Sequence, residues 1–232
     1  MKKVFAICLL LIMVSCAKEK QGNMIVKGQI KGLKKGTLYL QKMKDTVIVS
    51  VDSISLLGKD EFVLSDNIDT PEMYYLTFDE NIGKRVMFFG EKGTITVNDD
   101  ISNFGVHTEI IGSKNQKVYD EYMKVTSKFQ YKQLDLFKAN IEAQQKNDLK
   151  KSDSLRKLSE SNLRRRYLYT VNFALANPDA EATAYIALVD LVDANIKLLD
   201  TVNNSLTDKV KNSVYGKKLD TFISDIKKSE QK

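Results

Sequence analysis

The spacing of apolar residues changes near Gly112, and this change limits the folds that the chain can adopt. Before it, short apolar or alternating runs recur from Met24 to about Ile111, rich in the residues that favour strands. After it, apolar residues recur three and four positions apart, which is typical of helices. We therefore predict an α+β protein, with a β domain over residues 24–112 and a helical region over residues 113–232.

Eight runs in the first part are predicted as strands, and short connections separate them. The predicted strands are Met24–Ile30, Thr37–Leu40, Thr46–Val51, Glu61–Leu64, Met73–Phe78, Arg85–Phe89, Thr94–Val97 and Thr108–Ile111. Turn residues at Gly32–Gly36, Gly58–Asp60 and Gly90–Gly93 indicate hairpin loops. Because connections this short leave no room for crossover helices, we expect an antiparallel β-sandwich or open barrel.

The helical region begins with a capping signal. Ser113 is predicted to cap the first helix, and the side chain of Gln116 is predicted to reach back to it, as in a capping box. A second helix is predicted over about Ser154–Ala176. Asn177 and Pro178 then predict the start of another helix, with Asn177 as its cap.

Residues 1–15 are predicted as an export signal. A lysine pair precedes 11 apolar residues, Val4–Val14, whereas a membrane-spanning helix needs about 20. The following Ser15-Cys16 completes a segment that resembles a bacterial lipobox, which implies cleavage before Cys16 and attachment of lipid to its thiol. Residues 16–23 are then a lipidated tether, and the membrane is a partner through Cys16.

Cysteine usage limits the chemistry of the exported body. Cys8 leaves with the signal and Cys16 carries lipid, so no disulfide, redox pair or thiolate metal site is expected. Ala17 does not provide an acidic signal for retention in the inner membrane, which favours the outer membrane, with the protein facing the periplasm. Nucleic acid is not an expected partner of an exported protein.

An ordered series of short motifs runs through the β domain. It comprises Gly28-Gln29-Ile30, Gly36–Leu40, Val51-Asp52-Ser53, Gly58–Phe62, Pro71 before Tyr74-Tyr75-Leu76, Gly93–Val97, and Gly112-Ser113 with Asn115. This series resembles a domain of unknown function that is common in lipoproteins of Gram-negative envelopes. The helical region also resembles the segment that follows this domain, notably at Ala176-Asn177-Pro178 and Ser213–Gly216.

In that family the helical segment usually leads into a TlpA-like thioredoxin domain. Here the chain ends at Lys232, without tryptophan and without a Trp-Cys-x-x-Cys motif. The redox activity of longer relatives is therefore not expected in this chain. What the resemblance implies is an envelope location and a β-plus-helical body whose role is unknown.

No catalytic, cofactor or metal constellation is predicted. His107 is the only histidine and is interpreted as a surface or strand-edge residue. The acidic pairs Asp99-Asp100 and Asp79-Glu80 do not have the spacing of a calcium loop and are interpreted as turn residues. The basic stretch from Lys150 to Arg166 is interpreted as a solvated helix face rather than a site for anionic lipid or polymer.

An aromatic group on two neighbouring predicted strands provides a candidate binding surface. Strand alternation places Tyr74 and Phe78 on one side and Tyr75 on the other, with Phe88 on the next strand. One side is expected to pack in the core, and an exposed row on the other would indicate a ligand or partner surface. Tyr74, Phe78 and Phe88 are the residues predicted to form that surface.

These observations favour a non-catalytic, lipid-anchored envelope protein that acts as an interaction or binding module, with an envelope protein as a candidate partner. Two alternatives are retained. One is an accessory to a separate thioredoxin-like thiol–disulfide protein, which rests on the architecture of the resembling family. The other is an unrecognised hydrolase.

The lipobox resemblance predicts the covalent state of the native protein. Its intact mass should correspond to residues 16–232 plus a diacylglycerol, whose two acyl chains are enough for stable anchoring. The resemblance also implies a further acyl chain on the new amino terminus. Mass spectrometry of protein purified from membranes tests this. A free thiol at Cys16, or a different start site, would contradict both the anchor and the predicted location.

Overall fold

The computed structural model describes residues 22–79 and 83–230. The predicted signal, Cys16 and most of the predicted tether lie outside the described residues. The strands are β1 Met24–Lys31, β2 Lys35–Lys44, β3 Val47–Leu57, β4 Glu61–Asp66, β5 Glu72–Phe78, β6 Arg85–Gly90, β7 Gly93–Asp100 and β8 Glu109–Ile111. The helices are α1 Lys114–Gln145, α2 Leu149–Ala176, α3 Glu181–Asp190, α4 Ile196–Ser205, α5 Asp208–Lys211 and α6 Val214–Glu230, with a 3₁₀ turn at Ile101–Asn103.

The strands form two four-stranded sheets that pack face to face. One sheet has the strand order β4-β1-β7-β8, and the other has the order β3-β2-β5-β6. Large apolar side chains from both sheets fill the space between them, among them Val26, Leu38, Leu40, Leu76 and Ile95. The predicted α+β class is therefore confirmed, and the β part is a sandwich.

The three loops predicted as hairpins instead connect the two sheets. Gly32–Gly36 leads from β1 to β2, Gly58–Asp60 leads from β3 to β4, and Gly90–Gly93 leads from β6 to β7. In each case the two strands belong to different sheets, so the hairpin prediction is wrong. A short loop requires only that two strand ends lie close together, and adjacent edges of a sandwich meet this requirement as well as hydrogen-bonded neighbours do.

One pair of strands departs from the predicted antiparallel arrangement. β1 and β7 are parallel, from Met24 opposite Gly93 to Lys31 opposite Asp100. The other pairs are antiparallel. Short connections do not restrict the pairing of β1 with β7, because β2 to β6 lie between these two strands in the chain.

Helices cover the outer face of β5 and β6 through a cluster of aromatic residues. Met73, Tyr75 and Phe89 project from the strands and contact Tyr119 of α1, Tyr185 of α3 and Tyr215 of α6; we call these six residues the junction cluster. The Phe89 ring lies 5.4 Å from the Tyr185 ring and 5.7 Å from the Tyr119 ring, both edge-to-face. This geometry adds to the gain from burying the rings.

Gln116, a residue of the predicted capping box, attaches the start of α1 to β6. Ser113 is the N-cap, as predicted, and its Oγ accepts a hydrogen bond from the Gln116 N–H at 3.0 Å. The Gln116 side chain, however, does not reach back to Ser113. Its Oε1 accepts from the Phe89 N–H at 2.8 Å and its Nε2 donates to Asp120 at 2.7 Å. Because β6 is an edge strand, Gln116 satisfies a backbone donor that has no neighbouring strand.

Two long helices project from the helical core as an antiparallel pair, which we call the helical hairpin. It consists of α1 and α2, joined by Lys146–Asp148. The second predicted helix is confirmed, although α2 begins at Leu149 rather than Ser154. A separate apolar cluster, which includes Val171, Leu191, Leu199, Val202 and Leu219, joins the end of α2 to α3, α4 and α6. No helix in the described part of the chain is both long and apolar enough to span a bilayer.

The junction cluster predicts a large effect of one substitution. Phe89→Ala should lower the free energy of unfolding by about 3–5 kcal/mol, because Phe89 is fully buried and contacts three helices. Urea denaturation of the purified protein measures this change. Phe137→Ala is the matched control, since Phe137 is 59% exposed and its loss should change stability by less than about 0.5 kcal/mol. Equal effects of the two substitutions would contradict the role given to the cluster.

Candidate functional site

The aromatic residues predicted as a binding surface lie inside the sandwich. Tyr74 and Phe88 are fully buried, and Phe78 is half-buried against the same core. The prediction that these three residues form an exposed surface is therefore wrong. The alternation along β5 was right, but the side it assigned to ligands faces the other sheet, and Tyr75 on the opposite side is covered by the helices.

The Tyr74 hydroxyl is held within a charged hydrogen-bond network. It donates to Asp66 Oδ2 at 2.7 Å, and Lys42 Nζ donates to the same oxygen at 2.8 Å. Burial and the hydrogen bond to Asp66 raise the pKa of Tyr74 well above its usual value. Burial also raises the pKa of Asp66, but the hydrogen bonds from Lys42 and Tyr74 outweigh it, so the net pKa lies below the usual value. The network fixes the buried hydroxyl and offers no free nucleophile.

A cleft lies where loops of the β domain meet the helices. Its volume is about 630 Å³, and we call it the junction cleft. The β domain contributes Asp69, Thr70, Pro71, Glu91 and Lys92, and the helical region contributes Lys114, Asn115, Val118, Asp179, Ala180, Glu181 and Lys209. Ligand sites occur preferentially at such boundaries between structural units, which makes this cleft the candidate site.

Asn115 is the polar centre of the junction cleft. Its Nδ2 donates to Glu91 at 3.0 Å and to Glu181 at 3.1 Å, and its Oδ1 accepts from the Ala182 N–H at 2.8 Å. One buried amide thus joins the loop after β6 to the first turns of α1 and α3. The prediction that Asn177 caps α3 is wrong, because the helix begins at Glu181.

Glu91 places a carboxylate at the amino end of α1. Its two oxygens accept from the Lys114 N–H at 2.7 Å and from the Asn115 N–H at 3.2 Å. A negative charge at this end of a helix is stabilised by unpaired N–H groups and by the helix dipole. Glu91 is therefore occupied in holding the β domain against α1.

Glu181 is a buried charge with an exposed counter-ion. Its side chain is 2% exposed, whereas the side chain of Lys209, whose Nζ lies 2.8 Å from Glu181 Oε1, is 71% exposed. The second carboxylate oxygen accepts from Asn115. The amino end of α3, where Glu181 is the first residue, favours this charge further. Lys209 and Asn115 thus occupy both carboxylate oxygens of Glu181.

The other residues weighed in the sequence lie away from the cleft and have local roles. His107 is exposed, in the loop before β8. Asp99 accepts from the Gly105 N–H and the Thr108 hydroxyl, and Asp100 accepts from Ser102, as expected of turn residues. Glu80 lies outside the described residues. Among the described residues, no group of histidine, cysteine, aspartate and glutamate side chains could hold a metal ion.

Sequence reasoning did not identify the residues of the junction cleft. In the sequence, Asn115 stands out only as part of a motif, and Glu181 resembles other acidic residues. Their importance depends on contacts across 66 residues of chain, between Asn115 and Glu181, which local patterns do not encode. The one sequence signal for Glu181 is its position directly before the largely apolar segment Ala182–Val189. Acidic residues are common in the first turn of a helix, so this position does not indicate a site.

The Asn115 contacts predict how the cleft responds to substitution. Asn115→Ala should lower the free energy of unfolding by about 2–4 kcal/mol, because it leaves buried donors and acceptors unpaired. Asn115→Asp should be at least as destabilising, since it replaces a donor by a third carboxylate beside Glu91 and Glu181. Urea denaturation measures both changes, with Asn204→Ala on the exposed side of α4 as control. A neutral Asn115→Asp would contradict the proposed hydrogen-bond directions.

Comparison with known proteins identifies the family of the β part. Residues 24–119 match a family described as Domain of unknown function (DUF4369). The match begins at β1 and ends in the second turn of α1, so it includes Glu91 and Asn115 but not Glu181 or Lys209. No curated protein and no solved structure matches the chain. The chain thus contains a DUF4369 domain at residues 24–119, followed by helices.

Proposed function

We propose that this chain is a non-catalytic, lipid-anchored protein of the bacterial envelope that acts as a binding module. The observation that carries the proposal is the junction cleft, a space of about 630 Å³ between the β domain and the helices. Attachment through Cys16 and a periplasmic position at the outer membrane rest on the amino-terminal sequence alone.

The charges of the cleft indicate what kind of ligand it would take. Lys92 and Lys114 line it, and neither forms an ion pair within the described residues. Asp69 and Asp179 line it as well. Positive and negative groups in one cleft suit a ligand that carries both charges, such as a short peptide with free termini.

The contacts that the carboxylates of the cleft already make favour a binding role over a catalytic one. Each carboxylate oxygen of Glu91 and Glu181 has a hydrogen-bond or ion-pair partner. A general acid or base must exchange a proton with substrate, and these carboxylates would first have to lose contacts that hold the helices. The same contacts keep the cleft in one shape, which reduces the ordering cost of binding.

A titration followed by nuclear magnetic resonance tests the binding role. Zwitterionic dipeptides such as diglycine should shift the backbone amides of Thr70, Lys92 and Lys114 more than acetate or ethylammonium does at equal concentration. Combined Lys92→Ala and Lys114→Ala substitutions should weaken binding by about tenfold or more, because each removes a charged donor. Lys59→Ala with Lys217→Ala, at exposed positions outside the cleft, is the matched control.

Two outcomes of this titration would contradict the proposal. Shifts confined to residues outside the cleft, or equal losses in the cleft and control variants, would show that binding does not depend on this site. Hydrolysis of the dipeptide during the measurement would instead support the hydrolase alternative.

A second candidate is an accessory to a separate thioredoxin-like protein. The match to DUF4369 favours it, through the expectation that this domain usually precedes a TlpA-like domain. In a deletion strain the ratio of free to oxidised thiols among envelope proteins should then change. An unchanged ratio would remove this candidate and leave the binding module.

A further inference from the structure

The helical hairpin has polar residues where its two helices meet. Gln133 of α1 donates to the Ser159 hydroxyl of α2, and the Ser152 hydroxyl donates to Asn140 at 2.7 Å. Asn162 Nδ2 donates to Gln133 and to the Phe129 carbonyl, each at 3.0 Å. Aromatic residues meet between the two helices nearer the helical core, where the Tyr169 ring lies 5.8 Å from the Tyr122 ring and 6.2 Å from the Phe129 ring, and polar contacts join the helices towards the tip.

Four apolar residues on one side of α1 are exposed to solvent. Tyr131 is 71% exposed, Leu134 48%, Phe137 59% and Ile141 38%, and we call these four residues the apolar stripe. At 3.6 residues per turn they occupy an arc of about 120° and extend about 15 Å along the helix. Leu149, at the first turn of α2 beyond the tip, is 77% exposed. An exposed apolar side chain is therefore also present at the tip of the hairpin.

The hairpin also carries an excess of positive charge. Between Lys114 and Ala176, lysine and arginine outnumber aspartate and glutamate two to one. Several of the acidic residues are already engaged: Asp153 and Glu160 pair with Arg156, and Asp148 caps α2. In contrast, the lysines around the tip, Lys138, Lys146, Lys150 and Lys151, form no ion pair within the described residues.

These charges argue against a second copy as the occupant of the stripe. Two hairpins of the same net charge would repel each other on approach. The size of the stripe argues against a stable protein partner as well. Its four side chains supply on the order of 400 Å² even if fully buried, whereas stable protein interfaces bury about 800 Å² on each partner.

An anionic bilayer does not repel a positively charged hairpin, and binding to it does not need a minimum buried area. It accepts apolar side chains individually at the boundary between headgroups and acyl chains, and its surface potential attracts nearby lysines. A short apolar stripe beside unpaired cations is the pattern of a helix that lies on such a surface. We propose that the helical hairpin docks on anionic phospholipid through its apolar stripe and the lysines at its tip.

This contact is separate from the proposed anchor and from the junction cleft. The lipid on Cys16 would hold one end of the chain at a membrane, and docking of the hairpin would fix the orientation of the folded body on a lipid surface. Because binding combines apolar insertion with charge attraction, it should weaken as salt screens the lysines.

Vesicle co-sedimentation without the lipid anchor tests the inference. Residues 16–232 carrying Cys16→Ser contain every described contact and would be mixed with vesicles of phosphatidylcholine with or without 30% phosphatidylglycerol. We expect binding to the anionic vesicles at least tenfold stronger than to the neutral ones, and weaker binding in 0.5 M salt. Tyr131→Ser with Phe137→Ser, and separately Lys150→Glu with Lys151→Glu, should each reduce binding about tenfold or more.

Matched controls lie on the β domain. Leu57→Ser removes a side chain that is 80% exposed, and Lys44→Glu with Lys59→Glu reverses two exposed charges; both variants should bind within twofold of the parent. Circular dichroism confirms that each variant is folded. Equal binding to neutral and anionic vesicles, or equal losses in hairpin and control variants, would overturn the inference. Absence of vesicle binding would also overturn the inference, including the case in which the hairpin binds a protein or a second copy instead.

Discussion

The two halves of this protein are held together by the contacts that β5, β6 and the loops beside them make with the helices. Phe89 supplies the apolar part, since its ring is enclosed by tyrosines from three helices. Gln116 and Glu91 supply the polar part, because they connect backbone groups of β6 and α1 to side chains across the boundary. Further contacts join β5 and the loop before it to α6, where the Met73 N–H donates to the Tyr215 hydroxyl and the Val214 N–H donates to the Thr70 hydroxyl.

The same contacts explain why the protein has a cleft at the boundary. Aromatic rings fill the space between the helices and the outer face of β5 and β6, whereas the loops beside these strands reach the helices only through polar contacts, and a space remains between them. Buried amides and carboxylates line the remaining space and need partners of their own. Asn115 meets this need for both Glu91 and Glu181. The candidate site thus lies where loops of the sandwich meet the ends of α1, α3 and α5.

Much of the fold can be predicted from the sequence, because the spacing of apolar residues and the capping of helices are local properties. The division near Gly112, the strands, the Ser113 cap and the second helix all depended on patterns within a few residues. The errors concerned relations between distant segments. Loop length could not distinguish a hairpin from a step between sheets, and strand alternation could not tell which face of β5 would meet the helices. For the same reason the sequence pattern reveals neither the burial of Tyr74 nor the contacts of Glu181.

The parallel pairing of β1 with β7 determines how the domain responds to force. β1 lies between β4 and β7, and eight residue pairs align it with β7 in the same direction. A pull on the chain before β1, opposed by the chain that leaves the far end of β7, acts along both strands. The load is then shared by the whole ladder of hydrogen bonds and is not applied to one bond after another, as it is when a hairpin is peeled open. A body tethered at this end would resist extraction by shear, through a strand that is interior to its sheet.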